Sequence, residues 1–197
     1  MTHRRAIEEK ALKKLYKDDK KSSAEIAKIL GCSEHKVNYW LEKHIIPKRS
    51  ISEAVYVRKN PLGDPFSFIQ PKNLAEAKLF GLGVGLYWGE GNKANKNIVK
   101  LGNSDPGLIK SFIKFLKKFF NIDTRSLKFH LHLFSDINPE QATLYWMNEI
   151  GAQRSQFYKP TITKTGKLGT YRKKSVHGVL TLYFANTKLR NIMVGHN

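Results

Sequence analysis

One stretch limits the fold of this chain more than any other. Residues 74–91 read LAEAKLFGLGVGLYWGEG, an apolar helical segment in which Gly81, Gly85 and Gly89 recur every four residues. On a helix that spacing leaves one stripe with no side chains. Each interior glycine costs about 1 kcal/mol against alanine, so three in register imply that another helix approaches closely. The segment ends on a single carboxylate, Glu90, set between Gly89 and Gly91. A fold for this chain has to cover the stripe and give the acid a use.

Charge narrows the function. The chain has 35 basic and 16 acidic residues in 197, a net charge of +19. An imbalance of that size makes polyanion binding the first expectation, nucleic acid ahead of a membrane surface. No acidic residue occurs from Ile150 to Asn197, while Arg154, Lys159, Lys164, Lys167, Arg172, Lys173, Lys174, Lys188 and Arg190 are all basic. Apolar residues make up 41% and aromatics 11%, enough for a real core and too much for a disordered chain. Cys32 is the single cysteine, which excludes an internal disulfide and a cysteine-rich zinc site. No signal peptide is evident, and the longest apolar run, Leu79 to Trp88, is ten residues, half a membrane span. The expectation is a soluble, intracellular, cytoplasmic protein with no membrane partner. Its length fits one ordinary domain plus a small one.

At the N-terminus, Arg4 to Lys17 is a helix candidate with Ile7, Ala11, Leu12 and Leu15 on one side. Residues 22–44, SSAEIAKILGCSEHKVNYWLEKH, then set out two short helices. Ser23 caps the first, with Ile26, Ala27 and Leu30 inward, and Gly31 stops it. Ser33 starts the second, with Val37, Trp40 and Leu41 inward. A small residue at 27 lets the helices cross, and Gly31 supplies the sharp turn. This span resembles the helix-turn-helix of DNA-binding proteins, which implies that the second helix enters the major groove N-terminal end first. The outward residues Ser33, His35, Lys36, Asn38 and Tyr39 are then the DNA-contact candidates. Glu34 faces the same way and is repelled by phosphate unless it accepts from a cytosine.

Residues 1–46 are expected to form this small all-α domain and residues 47–72 a linker, broken by Pro47, Pro61, Pro65 and Pro71. Within the linker, Ile51–Lys59 reads as a short helix or strand, and Phe66 and Phe68 as anchors on one domain.

Beyond the glycine-striped helix, residues 98–102 read as a strand. Asp105-Pro106 opens a helix to about Phe120, with Ile109, Phe112, Ile113, Leu116 and Phe120 on one stripe and Lys110, Lys114, Lys117 and Lys118 off it. The phenylalanines Phe112, Phe115, Phe119 and Phe120 are read as core. Leu127 to Phe134 alternates: Leu127, Phe129, Leu131 and Leu133 on one face, Lys128, His130 and His132 on the other. Asn138-Pro139 opens a helix through Ile150, ended by Gly151. Residues 157–186 read as a long hairpin turning near 165–170, with Val179–Ala185 its most strand-like part. Asn186 begins a last helix. The order predicts an α+β domain over 73–197, a mostly antiparallel sheet covered by helices on one face. The uncovered face should carry Lys100, Lys128, His130, His132, Thr181 and Tyr183, a surface suited to a phosphate backbone. His130 and His132 could ligate a metal, but no third ligand is near in sequence, so they are read as phosphate-facing. Lys159, Arg172, Lys173 and Lys174 complete the DNA-binding candidates.

Against that layout, GLYWGEG at residues 85–91 resembles the end of a LAGLIDADG motif, and the resemblance extends over about residues 73–197. It implies that Glu90 is the catalytic acid and metal ligand, that Gly91 is the motif's terminal glycine, and that Gly81, Gly85 and Gly89 lie at a dimer interface. Trp88 departs from the aspartate often found two residues before the catalytic acid. In that family two such helices pack side by side, so that two carboxylates bind divalent cations, here Mg2+, under the DNA. One motif per chain implies a homodimer on a roughly palindromic site. Leu144-Tyr145-Trp146 echoes Leu86-Tyr87-Trp88 but lacks the glycines and is no second copy. A basic residue near the scissile phosphate is also implied, with Lys100, Lys159 and Lys173 of equal weight. The resulting expectation is a sequence-specific double-stranded-DNA-binding protein of the metal-dependent homing-endonuclease kind. The alternative is a non-catalytic helix-turn-helix regulator with a degenerate domain of that kind, and a weaker third is RNA binding by the basic sheet.

Overall fold

A computed structural model describes residues 6–164 and 176–195. The chain divides into two compact units, Met1–Asp64 and Pro65–Asn197.

The first unit is helical. Helix α1, Glu9–Lys13, runs on as a π-helical stretch, Lys14–Asp18; then come α2 (Ser23–Leu30), α3 (Glu34–Lys43) and α4 (Ile51–Lys59). Its core is Ile7, Leu12, Tyr16, Ile26, Ala27, Val37, Leu41 and Ile46. Ser22, not Ser23, caps α2: its hydroxyl accepts from the Glu25 N–H at 3.2 Å and its own N–H donates to the Glu25 carboxylate at 2.8 Å. The capping box wins because Glu25 stands three residues after Ser22. Gly31 takes φ +60° at the end of α2, and Ser33 caps α3 as expected. Leu30 and Trp40 depart from the inward set. Leu30 is 39% exposed beside the turn, and Trp40 is half-buried, stacked on His44 at 5.2 Å. Ala11 is exposed, and Tyr16 fills the core from the next turn.

The stretch expected as a linker divides between the units. Residues 47–64 belong to the first. The Arg49 guanidinium donates to the Lys20 carbonyl at 2.9 Å and to the Lys21 carbonyl, and lies 4.3 Å from the centre of the Tyr16 ring. Residues 65–72 belong to the second, where the Ser67 and Ile69 N–H groups donate to the Phe120 and Phe119 carbonyls at 3.1 and 2.8 Å. Phe66 and Phe68 both pack on Phe120, as the sequence suggested.

The second unit is α+β. In order it holds α5 (Leu74–Glu90), β1 (Val99–Asn103), α6 (Pro106–Phe120), β2 (Lys128–Phe134), α7 (Pro139–Ile150), β3 (Thr161–Thr163), β4 (Val179–Phe184) and α8 (Thr187–Met193). The sheet order is β1-β4-β2-β3, with β1/β4 and β4/β2 antiparallel and β2/β3 parallel. The expected hairpin of 157–186 is therefore not one: β3 and β4 flank β2 on opposite sides, and its expected turn lies outside the described residues. Strand β2 has a wholly buried apolar face, which suits it to a central place with partners on both sides.

One face of the sheet is buried. Val99, Leu101, Leu127, Phe129, Leu131, Leu133, Leu180, Leu182 and Phe184 join a single core with residues of α5 to α8. Helix α6 buries Ile109, Phe112, Phe115, Leu116, Phe119 and Phe120 there, each contributing about 2 kcal/mol by removal from water. Among the described residues no helix is long and apolar enough to cross a membrane.

Candidate nucleic-acid interface and carboxylate site

Helix α5 is apolar nearly all round, yet only Gly83 and Tyr87 are fully buried on it. The glycine that meets another helix within the chain is Gly83, outside the stripe: a Cβ there would stand 2.1 Å from the Phe115 ring. At Gly81, Gly85 and Gly89 a Cβ would meet no described atom within 4 Å. Beside them Leu74, Leu82 and Trp88 are 71%, 48% and 55% exposed. The stripe therefore opens outward from the single chain, bare and apolar.

Glu90 is the last residue of α5 and is exposed. Beyond it the chain turns directly onto the sheet. The Gly91 N–H donates to the Tyr87 carbonyl at 2.9 Å, Gly91 bridges Leu101, and the Asn92 N–H donates to the Lys100 carbonyl at 2.8 Å. Only glycine fits at 91, because a Cβ would come 2.3 Å from the Tyr87 carbonyl oxygen. The turn is held from two sides. The Lys93 ammonium donates to the Trp88 carbonyl, and the buried Arg190 guanidinium donates to the Lys93 carbonyl.

The Glu90 carboxylate has no hydrogen bond or ion pair to a described residue, and it sits at the negative pole of its helix, where an acid is disfavoured. Four other acids of the unit are engaged in the fold. Glu76 pairs with Lys118 at 2.9 Å, which holds its carboxyl below the usual range, and Glu149 pairs with Lys110 at 2.6 Å. Asp105 caps α6, and Asp123 is held low by Arg125, 2.7 Å away.

The open face of the sheet begins where α5 ends. Register sets Lys100, Tyr183 and Lys128 in one row, Gly102, Thr181 and His130 in the next on the same face, then Val179, His132 and Thr161. All six residues expected on this face lie on it. No strand carries an acidic residue. The Lys100 ammonium stands 5.3 Å from the Tyr183 ring centre, and the Lys128 ammonium donates to the Ser155 carbonyl at 3.1 Å. Each histidine Nε2 is hydrogen-bonded to a β3 hydroxyl, His130 to Thr161 at 3.0 Å and His132 to Thr163 at 2.7 Å. Burial, then the charges of His132 and Lys100, pushes the His130 imidazole below the ordinary histidine range.

Of the three lysines weighed equally, Lys100 is the one tied by its own backbone to the chain leaving Glu90. Lys159 is exposed at the other side of the sheet, two residues past the Phe129–Phe157 bridge. Arg172, Lys173 and Lys174 lie outside the described residues. Sequence reasoning missed Tyr158, 52% exposed and edge-on to Tyr183 at 6.1 Å, because no local pattern pairs the two.

In the first unit, His35 and Tyr39 are exposed on α3 and Lys36 is half-buried. Two candidates are partly engaged in the fold. The Ser33 hydroxyl accepts from the Lys36 N–H at 3.2 Å, and the Asn38 side-chain oxygen accepts from the Ser23 hydroxyl at 3.1 Å.

No family model matches the chain, and searches of curated proteins and of solved structures find no match either. What the fold defines is a class: mixed α+β, with eight α-helices and one four-stranded mixed sheet among the described residues.

Proposed function

We propose that this chain binds double-stranded DNA and is a metal-dependent endonuclease of the LAGLIDADG kind, acting as a homodimer. The observation that carries the reading is Glu90: a carboxylate with no partner among the described residues, at the negative pole of its helix, delivered to the edge of a basic, acid-free sheet face by a helix with a bare stripe. In this reading α2 and α3 are a helix-turn-helix that reads the major groove, with His35, Lys36 and Tyr39 as its contacts. Lys100, Lys128, His130 and His132 follow the phosphates. A second copy covers Gly81, Gly85 and Gly89 and brings its own Glu90 beside the first.

The donor chemistry fits Mg2+, which takes oxygen ligands and is commonly held by one or two carboxylates together with substrate phosphates. Among the described residues no group of three potential ligands occurs within one chain, so Glu90 from both copies and the phosphate would complete the set. Bound there, Mg2+ supplies Lewis-acid stabilisation of charge on the phosphate. Lys100, one strand residue from the Glu90 turn, is the side chain best placed to neutralise that same phosphate.

The alternative, a regulator that binds the same DNA without cutting it, draws on Trp88, a half-exposed indole where the family often carries an aspartate. A Mg2+-dependent cleavage assay on a randomised duplex library separates the two. The nuclease reading expects nicked or cut products from the wild type and none from Glu90→Gln, with binding retained by both. Tight binding with no cleavage of any target by the wild type would leave the regulator.

A further inference from the structure

The row Lys100–Tyr183–Lys128 has a feature that duplex binding does not use. Tyr183 lies on β4, an internal strand, with a lysine on the neighbouring strand at each side. The next row is shallow. Gly102 has no side chain and Thr181 a short one, and a Cβ added at Gly102 would stand 3.0 Å from the Thr181 hydroxyl. The result is a low floor beside an aromatic wall, with the Thr181 hydroxyl and the His130 ring along it. Tyr158 stands edge-on to Tyr183 and extends the aromatic surface past β2. The Lys100 ammonium lies over the Tyr183 ring, 5.3 Å from its centre.

We propose that this bay binds one unpaired nucleotide of a single strand, its base stacked on Tyr183 and its flanking phosphates on Lys100 and Lys128. A base edge over Gly102 meets polar groups on the floor, and Lys100 moves from the ring to a phosphate when the base arrives. A duplex cannot use the bay in this way, since its bases stay stacked on each other. Aromatic stacking beside a basic track is the usual physics of single-strand binding. The inference needs the open face to meet nucleic acid, but neither the nuclease chemistry nor pairing along α5.

The test measures binding of the full chain to labelled oligonucleotides of roughly 12 nucleotides, oligo-dT, oligo-rU and a duplex of the same length. Tyr183→Leu should weaken single-strand binding roughly ten-fold or more and leave the duplex nearly unchanged, while Tyr183→Phe keeps single-strand affinity. Lys100→Gln should reduce the salt dependence on single strands by about one phosphate contact. Tighter binding of dT or of rU identifies the strand as DNA or RNA, and either supports the bay. Three results would overturn it: single-strand binding unchanged in Tyr183→Leu, equal loss on duplex and single strand, or a loss in Tyr183→Phe as large as in Tyr183→Leu. If Tyr183→Leu folds poorly, Tyr183→Trp gives a second readout. The emission it adds over the wild type, which already carries Trp40, Trp88 and Trp146, should be quenched by the single strands and not by the duplex, and absence of quenching in that difference contradicts stacking. Loss of duplex binding or cleavage with the single-strand results intact would sink the endonuclease reading and spare this one.

Discussion

Gly83 and Gly85 lie two residues apart on α5, and alanine should affect them in opposite directions. At Gly83 the new methyl would enter the Phe115 ring, and overpacking of this kind costs about 1–3 kcal/mol. At Gly85 there is open space, so alanine should stabilise the single chain by up to about 1 kcal/mol through helix propensity while weakening self-association. Urea denaturation at low concentration checks both signs. Ile45 offers a second test. It holds φ +53° at the end of α3 and is 89% exposed, so it bears left-handed strain without burial to offset it. Ile45→Gly should raise the stability of the first unit by about 0.5–1 kcal/mol, the relief of strain less the extra freedom of unfolded glycine. A loss instead would mean that the isoleucine side chain is held by something. The stripe and Glu90 were legible in the sequence because they recur at helical spacing or stand out chemically. Gly83 was not, because its reason is Phe115 on another helix, whereas Ser22 as the cap of α2 is legible, since Glu25 three residues on completes a capping box.

The elements of the open face can be tested by pH. His130 binds its proton less tightly in the folded chain than in the unfolded one, first through burial and then through His132 and Lys100. Stability should therefore fall as pH drops through the ordinary histidine range, about 6.5, toward the lower folded value, and be restored above it. A bound polyanion acts oppositely and favours the proton, so nucleic-acid affinity should rise over the same interval. His130→Asn should flatten both dependences, read by denaturation midpoints and binding from about pH 8 to 5. Alternation alone placed Lys128, His130 and His132 on the open face, since a strand's two faces are written in its own residues. Strand order was not legible. That β2 lies between β3 and β4 is set by pairing across the chain, and the two strands near the expected hairpin looked like natural partners only by adjacency.

For the whole molecule, charge and symmetry decide. Of the 35 basic residues, 20 lie from Pro65 onward against seven acidic ones, so the second unit carries most of the excess. Duplex affinity should fall steeply between about 50 and 200 mM salt; a flat response would remove the polyanion reading. The mixed α+β class and the place of Glu90 at the end of α5 could be anticipated from the order of elements and the helical pattern. The division of residues 47–72 could not, because Arg49 bonds back to Lys20 and Lys21 through contacts that composition does not announce. Everything assigned to Glu90 depends on a second copy, for one carboxylate per chain does not make the site. Sedimentation equilibrium over a range of concentrations, with and without duplex DNA, tests this directly, with Gly85→Leu as the comparison. The wild type should approach the mass of two 22.6 kDa chains, and Gly85→Leu, equally well folded, should stay at one. A single-chain mass for the wild type at every concentration, with and without DNA, would contradict the pairing.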